Sequence, residues 1–269
     1  RKDYNLSTHM MNDLKLHYSF SYESLKRNNL HYIGDTAKGH TQQVMLAAGN
    51  TVQFYDVDAR QKSWLHGTEH GVGGLAVHPE LDKFAVGNKG DGPHVNIYSY
   101  PELDLICSLD NGTEKAYSYL AFNNKGDKLA TVGSAPDYML TIWKWRDRKV
   151  ILRSKAFGQE VYKVSFSPSD DGQLTSGGLG HIKFWTMAKT FTGLKLQGLI
   201  GKFGRIELSD IFGFAELPDG KVLSGSEDGH LLLWDGNLIK CPIANGDGKP
   251  CHKGMVEEVV LENGEFISA

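Results

Sequence analysis

The sequence predicts an all-β fold assembled from one repeated four-stranded unit, and three observations predict it. The first is a short strand ending in an aromatic residue that recurs five times. It appears as Val52-Gln53-Phe54-Tyr55, Val95-Asn96-Ile97-Tyr98, Leu140-Thr141-Ile142-Trp143, Ile182-Lys183-Phe184-Trp185 and Leu231-Leu232-Leu233-Trp234, with the aromatics 43, 45, 42 and 49 residues apart. The second is an upstream pattern, apolar at i, i+3 and mostly i+5, then Pro or Asn at i+7. It occurs as Val72/Leu75/Val77/Pro79, Tyr117/Leu120/Phe122/Asn124, Val161/Val164/Phe166/Pro168, Ile211/Phe214/Glu216/Pro218 and Val256/Val259/Leu261/Asn263. The third is 31 glycines beside 8 prolines, the composition of a chain full of tight turns. Two markers in one phase, at a period of roughly 40–45 residues, are the signature of a β-propeller with one blade per period. A blade cannot bury both its faces alone, so it requires neighbours.

Taken in order, residues 1–29 form an N-terminal extension in which Leu14 to Phe20 alternates and is able to add a strand. Residues 30–269 carry the blades. Blade one runs from about Leu30 to Leu65, with Val44 to Gly49 and Val52 to Val57 as its best strands. Blade two covers about 70–109 and turns at Asp91-Gly92-Pro93. Blade three covers about 114–156, and blade four begins near Gln159. Blade five covers about 209–243, where Glu227-Asp228-Gly229 supplies the tight turn because Asp tolerates and Gly favours positive φ. Beyond that turn Leu231 and Leu233 share one face and Leu232 and Trp234 the other, so this strand is apolar on both sides and belongs between two sheets. The ending Glu265-Phe266-Ile267-Ser268 aligns with Lys221-Val222-Leu223-Ser224, which places the last residue inside the second strand of a sixth blade.

Blade five resembles the WD40 repeat almost position by position, from Ser224-Gly225-Ser226-Glu227-Asp228-Gly229 through Trp234-Asp235. The expected fold is therefore a WD40-type β-propeller with an incomplete ring of about five and a half blades. Elsewhere the repeat is degenerate: Tyr replaces Trp at 55 and 98, and only Cys251-His252 preserves part of the Gly-His dipeptide. The buried His–Asp–Ser–Trp network of that repeat is expected to be incomplete in most blades.

Composition excludes several functions. A net charge of −3 offers no basic field for non-specific binding of nucleic acid. No apolar run approaches the ~18 residues of a membrane span, and the start at Arg1-Lys2-Asp3-Tyr4 lacks the apolar core expected of a signal peptide. Three irregularly spaced cysteines fit a reducing compartment better than a disulfide framework.

No catalytic, metal-binding or cofactor-binding constellation emerges. Gly71-Val72-Gly73-Gly74 and Ser176-Gly177-Gly178-Leu179-Gly180 lack the Lys-Ser/Thr of a phosphate loop and read as turn glycines. Cys241, Cys251 and His252 are poorly spaced for tetrahedral zinc. His66, His70 and His78 read as surface or turn histidines. An enzyme built around the channel of a propeller would need inward acids or histidines at matching positions of several blades. The sequence has Gln53, Asn96, Thr141 and Lys183 between the strand apolars instead.

One connection stands out. From each third-strand aromatic to the next upstream marker the chain uses 17, 19, 18, 26 and 22 residues. Blade four thus carries about eight extra residues within Met187 to Ser209. With Leu194 to Ile200 as its outer strand, residues 201–208 are expected to form a long loop. Its Lys202, Phe203, Arg205 and Ile206 are the candidate partner contact, an aromatic anchor flanked by two cations. Trp143, Trp185 and Trp234 are expected to pack between blades, and Trp145 to be the exposed tryptophan.

Several segments resemble the cilia- and flagella-associated WD-repeat proteins of the axoneme. These are His17-Tyr18-Ser19-Phe20-Ser21-Tyr22, Gly180-His181-Ile182-Lys183-Phe184-Trp185, Thr190-Phe191-Thr192-Gly193-Leu194-Lys195-Leu196-Gln197-Gly198 and Ala215-Glu216-Leu217-Pro218-Asp219-Gly220-Lys221. The resemblance implies a large non-enzymatic protein of the cytoplasm, cytoskeleton and ciliary or flagellar axoneme, with N-terminal propellers and a coiled-coil C-terminal half. It further implies membership of the tether that links inner-arm dynein motor domains to the doublet microtubule. Its partners would then be a paralogous tether subunit, the dynein and the microtubule, with no nucleic acid and no membrane. The echinoderm microtubule-associated-protein-like family shares the leading segment and is the alternative by resemblance. A general cytosolic WD40 adaptor is the other rival.

Overall fold

The structure, a computed structural model, describes residue 22, residues 27–66 and residues 70–269. The strand expected over Leu14 to Phe20 lies outside the described residues. Blade one is β1 (Leu30–Ile33), β2 (Gln43–Ala48), β3 (Thr51–Asp56) and β4 (Gln61–Leu65). Blade two is β5 (Val72–Val77), β6 (Lys83–Asn88), β7 (Val95–Ser99) and β8 (Leu105–Leu109). Blade three is β9 (Tyr117–Phe122), β10 (Leu129–Gly133), β11 (Met139–Lys144) and β12 (Lys149–Lys155). Blade four is β13 (Val161–Phe166), β14 (Gln173–Gly178), β15 (His181–Thr190) and β16 (Gly193–Ile200). Blade five is β17 (Phe214–Glu216), β18 (Val222–Gly225), β19 (Leu231–Asp235) and β20 (Leu238–Ile243). A sixth sheet has β21 (Val259–Glu262) and β22 (Glu265–Ser268).

Each sheet is an antiparallel meander with its strands in chain order. First strands lie beside first strands, β1 with β5, β5 with β9, β9 with β13 and β17 with β21. The Lys163–Glu258 ion pair crosses from blade four to the sixth sheet, and Arg27 stacks 4.0 Å over Phe212 and 4.8 Å over Tyr162. The sheets are not closed into a ring: among the described residues, no strand pairs the sixth sheet with blade one.

The core is divided in the way two-faced blades require. One apolar cluster fills each gap: Phe54 with Phe84 between blades one and two, Ile97 with Trp143 next, then Ile142 with Trp185, Ile182 with Trp234, and Leu223 with Val256. In β19 the side chains part as the alternation demands. Leu232 and Trp234 go to the gap with blade four, and Leu231 to the gap with the sixth sheet.

The five terminal aromatics occupy equivalent rungs, paired with Val44, Phe84, Leu129, Leu174 and Val222 on the neighbouring second strand. Three are buried tryptophans whose indole nitrogen donates to a hydroxyl two residues further along that strand. Trp143 bonds Thr131 at 3.0 Å, Trp185 bonds Ser176 at 2.9 Å and Trp234 bonds Ser224 at 2.9 Å. Where the aromatic is Tyr, the residue two beyond its partner is Leu46 or Val86. The two changes belong together, because a buried indole N–H needs an acceptor and a buried hydroxyl with no indole would lack its donor. Of the remaining network, His252 bonds the Ser268 hydroxyl at 2.8 Å, and Asp228 pairs with its own turn, to His230 at 2.7 Å and to the Ser226 hydroxyl.

Three sequence expectations need correction. Trp145 is buried, not exposed: it packs edge-on to His78 and Phe122, and its indole nitrogen donates to the Gly126 carbonyl at 2.7 Å. His78 is buried with it, while His66 and His70 are exposed. Its Nε2 donates to the same Gly126 carbonyl at 2.9 Å and its Nδ1 accepts from the Glu80 amide at 3.2 Å, which defines a neutral ring. Burial holds its pKa below the usual value. The third correction concerns blade four. Trp185 pairs with Gly198, thirteen residues on, whereas Tyr55, Tyr98 and Trp143 pair with Lys62, Leu105 and Val150, seven residues on. Most of the added length therefore extends the β15–β16 hairpin, with little left for the loop after it. Paired strands satisfy their own backbone groups as they grow, which a free loop cannot do.

Two measurements check this packing. Trp234→Ala should cost about 3–5 kcal/mol, because the gap it fills lies between two sheets that cannot close on it. Ser224→Ala should cost about 1–3 kcal/mol by leaving the indole N–H without an acceptor. Denaturant midpoints rank them, and equal midpoints for Trp234→Ala and the parent would refute the assignment. A second measurement uses Glu216. Burial pushes its carboxyl up to about 7, only partly offset by the hydroxyls of Thr175 and Ser167, and one carboxylate oxygen is buried without a partner. The folded pKa lies above the ordinary ~4.3 of an unfolded glutamate. Charging it therefore removes stability as pH rises from about 4 through about 7. Glu216→Gln should raise the melting temperature more at pH 8 than at pH 5; a gain that is flat or reversed with pH would contradict this.

Candidate interaction site

The segment from Gly201 to Asp210 carries the chain from the outer strand of blade four to blade five. Its start is pinned by three bonds, Gly201 N–H to the Ile182 carbonyl at 2.8 Å, Lys202 N–H to the Asn237 carbonyl at 2.8 Å, and the Asn237 side chain to the Ile200 carbonyl at 3.0 Å. Gly201 is required at this point, since a Cβ there would lie 2.5 Å from Ile182 and 2.9 Å from the Trp234 ring. Its end is pinned as firmly. Glu227 N–H donates to the Ser209 hydroxyl at 2.8 Å, Asp210 N–H to the Glu227 carboxylate at 2.9 Å, and Gly180 N–H to the Asp210 carboxylate at 2.7 Å.

Between the anchors, residues 203–206 form a tight turn closed by Ile206 N–H to the Phe203 carbonyl at 3.0 Å. The four candidate residues divide here. Lys202 and Arg205 are exposed, and Leu208 beyond them is exposed as well. Phe203 is only 8% exposed and meets the Trp234 ring edge-on at 5.2 Å, with Ile206 packed on the same cluster. The ring is therefore not a free anchor for a partner, as the sequence suggested. Its apolar area is worth more in the gap between blades four and five than in water. What the segment presents outward is Lys202, Arg205, Glu207 and Leu208 on a rigid apolar base.

Other chemistry is sparse. His78, Glu80 and Asp82 bring three possible ligand atoms together, but the Lys83 ammonium already occupies both carboxylates, 2.8 Å from Asp82 and 3.2 Å from Glu80. Cys241 and Cys251 are exposed, Cys251 directs its thiol to the Ile243 carbonyl, and His252 faces Ser268. Among the described residues, no helix is long and apolar enough to cross a membrane.

Comparison with known proteins follows the fold. The WD domain, G-beta repeat family matches residues 207–235, which take in the end of the preceding connection and the first three strands of blade five. Over 95% of its length the chain is 48% identical to cilia- and flagella-associated protein 44 of Mus musculus, of which it spans 14%. It is 56% identical over 71% of its length to the protein of that name from Chlamydomonas reinhardtii, spanning 11% of it. Echinoderm microtubule-associated protein-like 4 of Xenopus laevis is more distant, 27% identical over 87% of the chain and 26% of that relative. Among solved structures, a chain of the "Crystal Structure of Mitotic Checkpoint Complex" superposes with a TM-score of 0.65 at 21% identity. The match covers 84% of this chain and 68% of that one, a likeness of fold.

The division of the loop is open to test. Lys202→Ala should change stability by less than about 0.5 kcal/mol, and Phe203→Ala should cost about 3 kcal/mol or more. Denaturant unfolding of the two variants reads the difference, and equal shifts would show that the ring is not part of the core.

Proposed function

The chain belongs with the cilia- and flagella-associated protein 44 family, as a propeller segment about a seventh of the length of the mouse relative, and on that premise we propose that it is a non-enzymatic interaction scaffold of the ciliary or flagellar axoneme. The observation that carries this reading is 48% identity sustained across 95% of the chain. Inside the axoneme, the scaffold belongs to the tether that links inner-arm dynein motor domains to the doublet microtubule and regulates beating. Its partners there are a paralogous tether subunit, the dynein and the microtubule. Rigid blades with exposed connections suit such a role, because binding loops held by a stiff framework lose little entropy on docking. The exposed cations Lys202 and Arg205 are one contact of this scaffold, aimed at an acidic protein surface.

A microtubule-binding reading is favoured by the more distant microtubule-associated relative. Copelleting of purified full-length protein with microtubules separates the two: strong binding without other axonemal proteins supports direct attachment.

The scaffold reading is tested with tagged full-length protein. It should fractionate with demembranated axonemes, and Lys202→Ala/Arg205→Ala should reduce its recovery or its co-purifying partners while Phe203 keeps the fold. Protein absent from axonemes would end the reading. Normal recovery, partners and beating in the double variant would remove the loop from it.

A further inference from the structure

The hairpin β15–β16 projects beyond the body of blade four. In blades one, two, three and five the third strand ends one residue past its terminal aromatic, at Asp56, Ser99, Lys144 and Asp235. Here β15 continues five residues past Trp185, and pairing runs to Thr190 opposite Gly193. Phe191 and Thr192 are the turn, and Gly193 supplies its positive φ of 110°. The projection is not loose at its base: Met187 and its partner Leu196 pack against the cluster between blades three and four. Beyond them the hairpin leaves the protein.

It carries apolar side chains outward. Phe191 is fully exposed, and Leu194, Leu199 and Ile200 are exposed along β16. A fully exposed ring gives nothing to folding, so the fold has no use for an aromatic at this tip. Strand alternation puts Lys189 and Lys195 on opposite faces, so Phe191 has a cation on either side. Between Asp171 and Glu207 the sequence has no acidic residue and five cations, Lys183, Lys189, Lys195, Lys202 and Arg205, in a chain of net charge −3. Lys183 is engaged, its ammonium 3.1 Å from the Ala156 carbonyl and 3.9 Å over the Trp185 ring. Among the described residues, no acid forms a salt bridge with Lys189 or Lys195.

We propose that the β15–β16 hairpin is a docking element that inserts Phe191 into an apolar depression on an acidic protein surface, with Lys189 and Lys195 pairing to the acids at its rim. The assignment rests on the scaffold role above and adds a site to it, separate from the turn at Lys202 and Arg205. The charge complement selects an acidic partner, and the exposed aromatic selects a protein over a simple polyanion, which offers no apolar depression.

The test uses purified full-length protein and a short labelled peptide of alternating glutamate and leucine as probe. A lysine-for-glutamate counterpart and a single-stranded oligonucleotide serve as comparisons. Binding of the acidic peptide should weaken by about tenfold or more in Lys189→Glu/Lys195→Glu and in Phe191→Ser, and should persist in Lys249→Glu/Lys253→Glu, the same charge change at exposed lysines after blade five. Circular dichroism melting should be unchanged in each hairpin variant, since these side chains are exposed. Equal binding of the lysine peptide, tighter binding of the oligonucleotide, or affinity indifferent to the hairpin substitutions would overturn the proposal. Axonemal recovery of the unmodified protein is read separately: its failure removes the scaffold reading and leaves the peptide result standing.

Discussion

Each blade of this protein is apolar on both faces, and only a neighbouring blade can cover either of them. That constraint governs the rest. It explains why the core is five separate clusters, one per gap, with no single centre. It also dictates small residues where blades touch. Gly225 ends the second strand of blade five directly against the next blade's first marker, and a Cβ there would lie 2.4 Å from the Cβ of Val256. Gly87 meets Tyr117 in the same manner, at 2.7 Å. The glycines permit contact between strands whose larger side chains fill the space further out.

The indole-to-hydroxyl bond is the polar counterpart of this packing. A tryptophan in a gap brings one N–H that water cannot reach, so a Ser or Thr on the adjacent strand must accept it. In blades one and two both members of the pair have changed, to Tyr with Leu46 and to Tyr with Val86, and the gap stays satisfied without the bond. Degeneracy of the repeat is thus compensated blade by blade. It leaves the architecture intact because the fold depends on covered faces, with any single hydrogen bond secondary to that.

Rigid gaps also separate what is free to vary. The connection after blade four is anchored by Phe203 beneath and by Ser209 and Asp210 behind, which leaves Lys202, Arg205, Glu207 and Leu208 facing outward. The outer half of the hairpin before it is anchored at its base by Met187 and Leu196 and reaches outward past them. Both lie on one blade and both present cations. A framework that stores its stability between blades tolerates such growth at their rims, where no gap has to be refilled.

The sequence by itself determined the blade count, the strand order and the rungs of the five aromatics, because a period of two within strands and of 40–45 between blades is written in side-chain polarity. It also located the excess length in blade four and the family of the chain. It could not say where that length goes, since Thr186 to Leu196 alternates no better as strand than as loop until it has a partner strand to pair with. Nor could it distinguish a Phe203 or Trp145 that faces water from one that faces a neighbour. Both lie outside the repeat's strands, where local pattern carries no direction. Trp145 is drawn inward by Phe122, His78 and the Gly126 carbonyl, which it shares with His78, and Phe203 by the Trp234 ring. His78 belongs to the neighbouring blade two and Trp234 to blade five, and they meet these rings only when blades stack, so burial there is a property of the assembled gap.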